Sequence, residues 1–220
     1  MAKTKLKRFA ENAGFPHLIQ QSKGYPIPEH ELKGNWNRNF FKRDAPLVLE
    51  LACGRGEYTV NLAQKFPEKN FIGIDWKGAR LWRGAKTVDE EKLSNVAFLR
   101  IQILNILSYF DKNEVDELWI TFPDPHLQES REQKRLTSQR FLELYYNFVK
   151  PGGIINLKTD SKALYDFTLE VIAEKNLEIL KQTDDLYTSE MLDDILSIKT
   201  TYEKIWLKEG LNICYLQYKI

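Results

Sequence analysis

Cysteine and histidine are scarce, with two cysteines and three histidines in 220 residues. Cys53 and Cys214 are too few for a disulfide framework, and Cys53 reads as a small residue in a turn rather than a nucleophile. His17, His30 and His126 lie far apart without cysteine beside them, so no metal site is expected. No apolar run is long enough to span a membrane, and the basic start Lys3, Lys5, Lys7, Arg8 has no apolar segment behind it to make a secretion signal. A cytoplasmic location is the expectation. Charge of one sign is also missing, since the formal net charge is +1. Any nucleic-acid role must therefore come from a local patch rather than from bulk charge. Hydrophobic residues at 43% and charged residues at 29% exclude global disorder and fit one well-cored domain, as monomer or homodimer.

The stretch Leu47 to Asp75 organises the remainder. Leu47-Val48-Leu49-Glu50-Leu51 is an apolar run of buried-strand length interrupted by Glu50, and Ala52-Cys53-Gly54-Arg55-Gly56 stands where a tight turn is needed. Glycine suits a turn of positive φ and a backbone that a ligand must approach closely. Glu57 to Phe66 reads as a helix with Tyr58, Leu62 and Phe66 at four-residue spacing, stopped by Pro67. Asn70 to Asp75 is a second strand ending in an acid. That acid lies about 20 residues beyond the glycines, where mononucleotide-binding βαβ units place the carboxylate that accepts from a ribose.

The third glycine of the dinucleotide fingerprint is absent, because Thr59 occupies its place in Gly54-Arg55-Gly56-Glu57-Tyr58-Thr59. Glu50 at the strand end would repel a pyrophosphate and suits a ligand bearing an ammonium group. Both points favour S-adenosylmethionine over NAD. Glu50-x-x-x-Gly54-x-Gly56 resembles the E-x-G-x-G-x-G first motif of S-adenosylmethionine-dependent methyltransferases, departing from it at Ala52.

Further on, Lys77 to Lys92 reads as a helix with Leu81, Trp82 and Ala85 on a buried stripe and Arg80, Arg83 and Lys86 on an outer face open to a polyanion. Val96 to Ile101 and Val115 to Phe122 read as strands, Thr137 to Val149 as a helix capped by Thr137 or Ser138, and Pro151-Gly152-Gly153 as a turn. Ile154 to Lys158 is a further strand and Ser161 to Lys175 a further helix. The alternation predicts an α/β fold with a doubly wound, mostly parallel sheet that binds ligands beyond the carboxyl ends of its strands. Leu177 to Lys181 and Ile213 to Lys219, with no clear crossover helix between them, predict an antiparallel C-terminal edge pair. Residues 46–220 are expected to be this domain. Residues 1–45 read as a basic, irregular arm that is turn-rich through Gly24-Tyr25-Pro26-Ile27-Pro28; it either packs its aromatics on the core edge or offers Trp36 or Phe40 beside cations for phosphates.

Phe122-Pro123-Asp124-Pro125 ends the strand that begins at Val115, and two prolines around one aspartate fix how its carboxylate is presented. A plain turn is the alternative. With the glycine turn one βαβ unit earlier, the tetrapeptide resembles the F-x-D-P-W-x-K-K motif of the bacterial tRNA (guanine-N(7)-)-methyltransferases. Lys158-Thr159-Asp160 and Thr200-Thr201-Tyr202-Glu203 match that family's K-T-D and T-x-Y-E motifs, so the resemblance spans roughly Leu47 to Ile220. It implies a seven-stranded Rossmann-like methyltransferase sheet, S-adenosylmethionine as cofactor, and tRNA as substrate with N7 of a guanine methylated. It implies cofactor contacts at Glu50, Gly54, Gly56, Asp75, Gln102 and Asp124, a catalytic or guanine-orienting carboxylate at Asp124, and substrate contacts at Gln128, Asp160, Thr200, Thr201, Tyr202 and Glu203.

The family's basic run after D-P is replaced by His126 to Arg135, with Gln128 as the lysine's counterpart and with Arg131, Lys134 and Arg135 offset by two glutamates. Phosphate contacts are therefore expected elsewhere. His126 is open to two readings, a base-stacking partner or a solvent-facing turn residue. Lys158, Asp160 and Glu203 have an alternative as a surface ion-pair set. Two other functions stay open: a methyltransferase acting on an exocyclic amine, and an RNA-binding module without turnover.

Overall fold

The computed structural model describes residues 2–21 and 26–220, with side chains from Lys5 onward. Gly24 and Tyr25 of the expected turn, and the side chain of Lys3, lie outside the described residues. An eight-stranded sheet forms the centre, with β1 (Leu18–Gln20), β2 (Leu47–Leu51), β3 (Asn70–Ile74), β4 (Val96–Arg100), β5 (Val115–Thr121), β6 (Val149–Thr159), β7 (Ile179–Thr183) and β8 (Cys214–Lys219) in the order β1-β4-β3-β2-β5-β6-β8-β7. All pairings are parallel except those of β8, which runs antiparallel to both β6 and β7. The antiparallel edge pair expected at the C-terminus is thus present.

The helices are α1 (Ala2–Asn12), α2 (Glu57–Lys65), α3 (Gly78–Glu91), α4 (Gln139–Tyr145), α5 (Lys162–Glu174) and α6 (Thr201–Lys208). Strands buried on both faces sort their side chains between two cores: Leu49, Leu51, Ile72, Leu118 and Ile120 join one, while Val48, Phe71, Phe98 and Trp119 join the other with Tyr58 and Leu62 of α2 and Leu81 and Val88 of α3. Pro151-Gly152-Gly153 does not interrupt β6 but bulges it. The register with β5 jumps there from Val115↔Val149 to Glu117↔Ile154, and Gly152 adopts φ +77°.

Three expectations change. The sheet has eight strands rather than seven, because Leu18–Gln20 pairs in parallel with β4. The segment before residue 46, expected to be irregular, contains α1 packed on α3, this edge strand, and a wide helical turn at Trp36–Phe41. Trp36 is fully buried, stacks on Phe110 and donates its indole N–H to the Tyr109 carbonyl at 2.8 Å, so it packs the core and does not face phosphates. Finally, α6 lies between β7 and β8, where no helix was expected.

Phe98, fully buried on β4, sits where three glycines converge. A Cβ added at Gly56, Gly73 or Gly84 would approach its ring to 2.4, 2.6 and 2.5 Å. These glycines permit close helix–sheet packing beneath the turn after β2. Replacing Gly84 by Ala sets two effects against each other: about 1 kcal/mol gained in helix propensity and about 1 to 3 kcal/mol lost by overpacking against Phe98 and the Arg55 carbonyl. Phe98 is fully buried and the Arg55 oxygen belongs to the main chain, so neither gives way easily and packing wins. Gly84→Ala is expected to lower stability by up to about 2 kcal/mol in urea unfolding; a stabilised variant would contradict this packing.

Candidate active site

The sheet order reverses between β2 and β5, which pair through Leu51↔Ile120. The loops after these two strands therefore stand side by side at one end of the sheet, where doubly wound folds bind ligands. Backbone strain gathers here: Ala52 has φ 57°, Phe122 φ 50° and His126 φ 42°. Ala52 takes the left-handed conformation that glycine would adopt more easily, so the departure from the G-x-G-x-G pattern costs about 1 kcal/mol without changing the path of the chain.

Asp75, at the end of β3, accepts from the Gly54 amide at 2.9 Å and the Lys77 amide at 2.7 Å, one bond to each carboxylate oxygen. Each oxygen keeps a lone pair, so the group can also receive two vicinal hydroxyls. It lines a cavity of about 260 Å³ together with Trp76, Gln102, Ile103, Leu104 and Phe141. The walls are apolar apart from Asp75 and Gln102, which suits a flat heterocycle carrying a ribose. Across Ala52 lies a second cavity of about 50 Å³, lined by Gly54, Arg55, Arg80, Thr121, Thr200 and Tyr202 among others. A Cβ at Gly54 would meet nothing within 4 Å, so this turn faces open space, whereas Gly56 faces Phe98. The two predicted glycines thus have different work: Gly54 bounds the pocket and Gly56 seats α2.

Glu50 lines neither cavity. It is buried, and accepts from the Thr59 amide at 2.8 Å, the Thr59 hydroxyl and, at 2.5 Å, the Thr121 hydroxyl, joining β2, α2 and β5. Burial pushes its carboxyl pKa up to about 7 against these hydrogen bonds, with a smaller upward push from the Asp75 charge. Its access to the pocket is electrostatic and through Thr121. Cys53, also buried, has its thiol pushed well up by the same loss of hydration, as an inert small residue would.

Asp124 is exposed, its side chain 75% accessible, and its Oδ1 accepts from the His126 amide at 3.1 Å. The His126 ring is mostly covered, with Nδ1 3.6 Å from the same oxygen. Arg135, expected in the basic run, is buried. It donates from Nε to the Pro125 carbonyl at 3.2 Å and from Nη2 to the His126 carbonyl at 3.2 Å, and stacks on Phe167 at 4.3 Å. It supports the loop that carries Asp124 and is spent as a phosphate contact. Gln128 stands exposed at the start of the short helical turn Glu129–Lys134. Asp160, half-buried at the end of β6, has its carboxyl pKa raised by burial.

The surface ion-pair alternative for Lys158 and Glu203 is overturned. Both side chains are fully buried, with Nζ 2.7 Å from Oε1. Lys158 also donates to the carbonyls of Leu196 at 2.8 Å and Ile198 at 3.2 Å, and Tyr187 donates to Glu203 at 2.7 Å. Thr200 caps α6 in a reciprocal box with Glu203. Thr201 donates from its amide to Glu57 at 2.7 Å and accepts from Arg55 at 3.0 Å, which docks the start of α6 on the glycine turn. Sequence reasoning missed Arg55, Glu57 and Thr121, and read Arg135 only as part of the basic run. A first-turn acid was the one visible hint for Glu57, and nothing local marked the others. Among the described residues no group of three or more His, Cys, Asp or Glu side chains is arranged to hold a metal.

A cavity with a carboxylate placed for a ribose, at the reversal point of a doubly wound sheet, is the arrangement expected of S-adenosylmethionine-dependent methyltransferases, and the comparisons with known proteins assign the chain to that class. A family model described as "Putative methyltransferase" matches residues 44–216. A tRNA (guanine-N(7)-)-methyltransferase of Christiangramia forsetii is 50% identical over all of this chain and 99% of that protein. One of Bacteroides thetaiotaomicron is 47% identical over all of this chain and 87% of that protein. In structure, the 16S rRNA methyltransferase KamB aligns with a TM-score of 0.66 at 13% identity, over 91% of this chain and 98% of that one, which supports the fold. The chain belongs to the tRNA (guanine-N(7)-)-methyltransferase family.

The state of Glu50 gives a pH test. Its folded pKa of about 7 lies above the ordinary 4.5, so its contribution to stability is present below about pH 4.5 and lost as pH rises through 7. Relative to Glu50→Gln, the wild-type protein without ligand is expected to lose on the order of 3 kcal/mol between pH 4.5 and 8 in urea unfolding. Parallel stability curves would contradict this.

Proposed function

We propose that the chain methylates N7 of a guanine in tRNA and acts in the cytoplasm. The observation that carries the reading is the position of Asp124. It leaves the carboxyl end of β5 between two prolines, beside the strand whose turn bounds the Asp75 cavity, and Phe122, two residues before it, lines the second cavity with Thr200 and Tyr202. The activity for which the relatives at 50% and 47% identity are named supports the same reading.

S-adenosylmethionine supplies an electrophilic methyl group on a sulfonium sulfur. Asp75 and Gln102 would hold its nucleoside part and Gly54 would leave room for the remainder, while Glu50, behind Thr121 and with a carboxyl pKa of about 7, would favour its positive charge when ionised. Guanine N7 carries a lone pair and no proton, so no general base is required and alignment is the main task. Asp124 accepts from the guanine N1 and N2 donors and favours the positive charge that develops on the purine. Thr200 and Tyr202 line the second cavity, Thr201 fixes them to the glycine turn, and Asp160 and Gln128 are the further substrate contacts of this reading. Glu203 contributes by holding the Thr200 to Tyr202 segment in place.

Label from S-adenosylmethionine is expected in tRNA as 7-methylguanosine on nucleoside analysis. Asp124→Asn keeps the shape but loses the charge and half the acceptor capacity. It is expected to bind cofactor normally and to slow single-turnover transfer by at least about 100-fold, or about 2.7 kcal/mol. Label on an exocyclic amine would overturn the assigned chemistry, no label would overturn the enzyme, and a near-normal rate for Asp124→Asn would remove that residue from it.

A further inference from the structure

One face of the molecule interleaves cations with aromatic rings from the pocket mouth to the N-terminal helix. At the mouth the Arg80 guanidinium lies over Tyr202 at 5.6 Å. On the adjoining edge Arg100, at the end of β4, lies over Trp76 at 5.5 Å and over Phe9 of α1 at 4.8 Å. Along α3, Trp82 gathers Arg8 at 4.6 Å, Lys86 at 5.1 Å and Arg83 at 6.0 Å. Lys5 extends the row over Phe9 at 6.0 Å. The row is continuous because α1 is fixed to the start of α3 by the Asn12 amide on the Gly78 carbonyl at 2.8 Å, with Phe9 and Arg100 both against Gly78.

An aromatic neighbour holds a cation in position without neutralising it, whereas a carboxylate does both. Carboxylates are few here. Glu90 is shared by Arg83 at 3.0 Å and Lys86 at 3.8 Å, and Glu11 takes the Trp82 indole and Lys7. The flank beside the loop after Asp124 is net acidic: a groove of about 530 Å³ carries Glu132, Glu143, Glu170 and Glu174 against one cation, Arg140, and a net negative charge repels phosphates. Arg135, which follows the helical turn Glu129–Lys134, is buried beneath the loop.

We propose that the α1–α3 face is a phosphate track, binding the phosphodiester backbone of the substrate RNA and leading it to the pocket at Arg80 and Tyr202. This rests on the tRNA reading above and adds where the polyanion lies. The track takes the place of the depleted basic run after Asp124.

The test is the salt dependence of binding to full-length unmodified tRNA, by fluorescence anisotropy between about 50 and 200 mM salt, since each phosphate contact contributes about 0.7 to 0.9 to the log–log slope. The triple variant Lys5→Gln, Arg8→Gln, Lys86→Gln is expected to flatten the slope by about 2 to 3 and to weaken binding at least about 10-fold. Arg131→Gln with Lys134→Gln is expected to leave the slope unchanged. Should loss of Arg8 unfold α1, Lys5→Gln with Lys86→Gln carries the same test with a change of about 1 to 2. An intact slope in these variants, with or without a lower melting temperature, would mean that the strip only holds α1 on α3 and would overturn the track; so would a slope lost in the Arg131 and Lys134 variant. Product analysis on the wild-type protein is a separate measurement. If it yields no 7-methylguanosine while the slope change persists, the reaction assignment fails and the RNA track stands.

Discussion

The site depends on one buried ion pair. Lys158 extends from β6 into a place without water, where loss of hydration lowers its pKa and the Glu203 charge raises it. Such a pair is tolerable only when every donor finds an acceptor, and all three ammonium hydrogens do, on Glu203 and on the carbonyls of Leu196 and Ile198. The pair thereby ties the chain from Leu186 to α6 onto the end of the sheet. Together with the bonds of Thr201 to Glu57 and Arg55, it keeps Thr200, Thr201 and Tyr202 across from the glycine turn. Removing one partner leaves a bare charge in the interior, at a cost of about 3 to 5 kcal/mol.

The remaining devices of the site act on the same end of the sheet. Glu50, held by Thr59 and Thr121, locks the reversal point between β2 and β5. Phe98 lets α2 and α3 sit close beneath the turn. Ala52, Phe122 and His126 hold left-handed backbone conformations that each cost stability, and they persist because the strands, prolines and Arg135 leave the chain no other path. Rigid backbone combined with an exposed Asp124 carboxylate suits a reaction whose main requirement is alignment.

Much of this was legible in the sequence wherever the physics is local. Strand-length apolar runs, the glycine turn and the acid ending β3 follow from periodicity and turn chemistry, and the antiparallel edge pair follows from strands lacking a regular alternation. What was illegible depended on distant partners. Lys158 and Glu203 look like surface charges until the fold brings them together, and Arg135 looks like a phosphate ligand until its carbonyl partners are known. Helix α6 was hidden because Thr200 and Glu203 were read as ligand contacts, although a Thr followed three residues later by Glu is also a helix start. The short β1 went unread because a three-residue strand leaves no periodic signal, and a lone aromatic such as Trp36 left core packing and phosphate contact equally open.

The ion pair's role can be measured by amide hydrogen exchange in Lys158→Met. If the pair fixes the C-terminal wall, exchange should accelerate on the order of a hundredfold from Leu186 to Lys208, with protection in β2 through β5 retained. Unchanged exchange in that segment, or acceleration spread evenly through the sheet, would contradict the claim that this pair holds the site together.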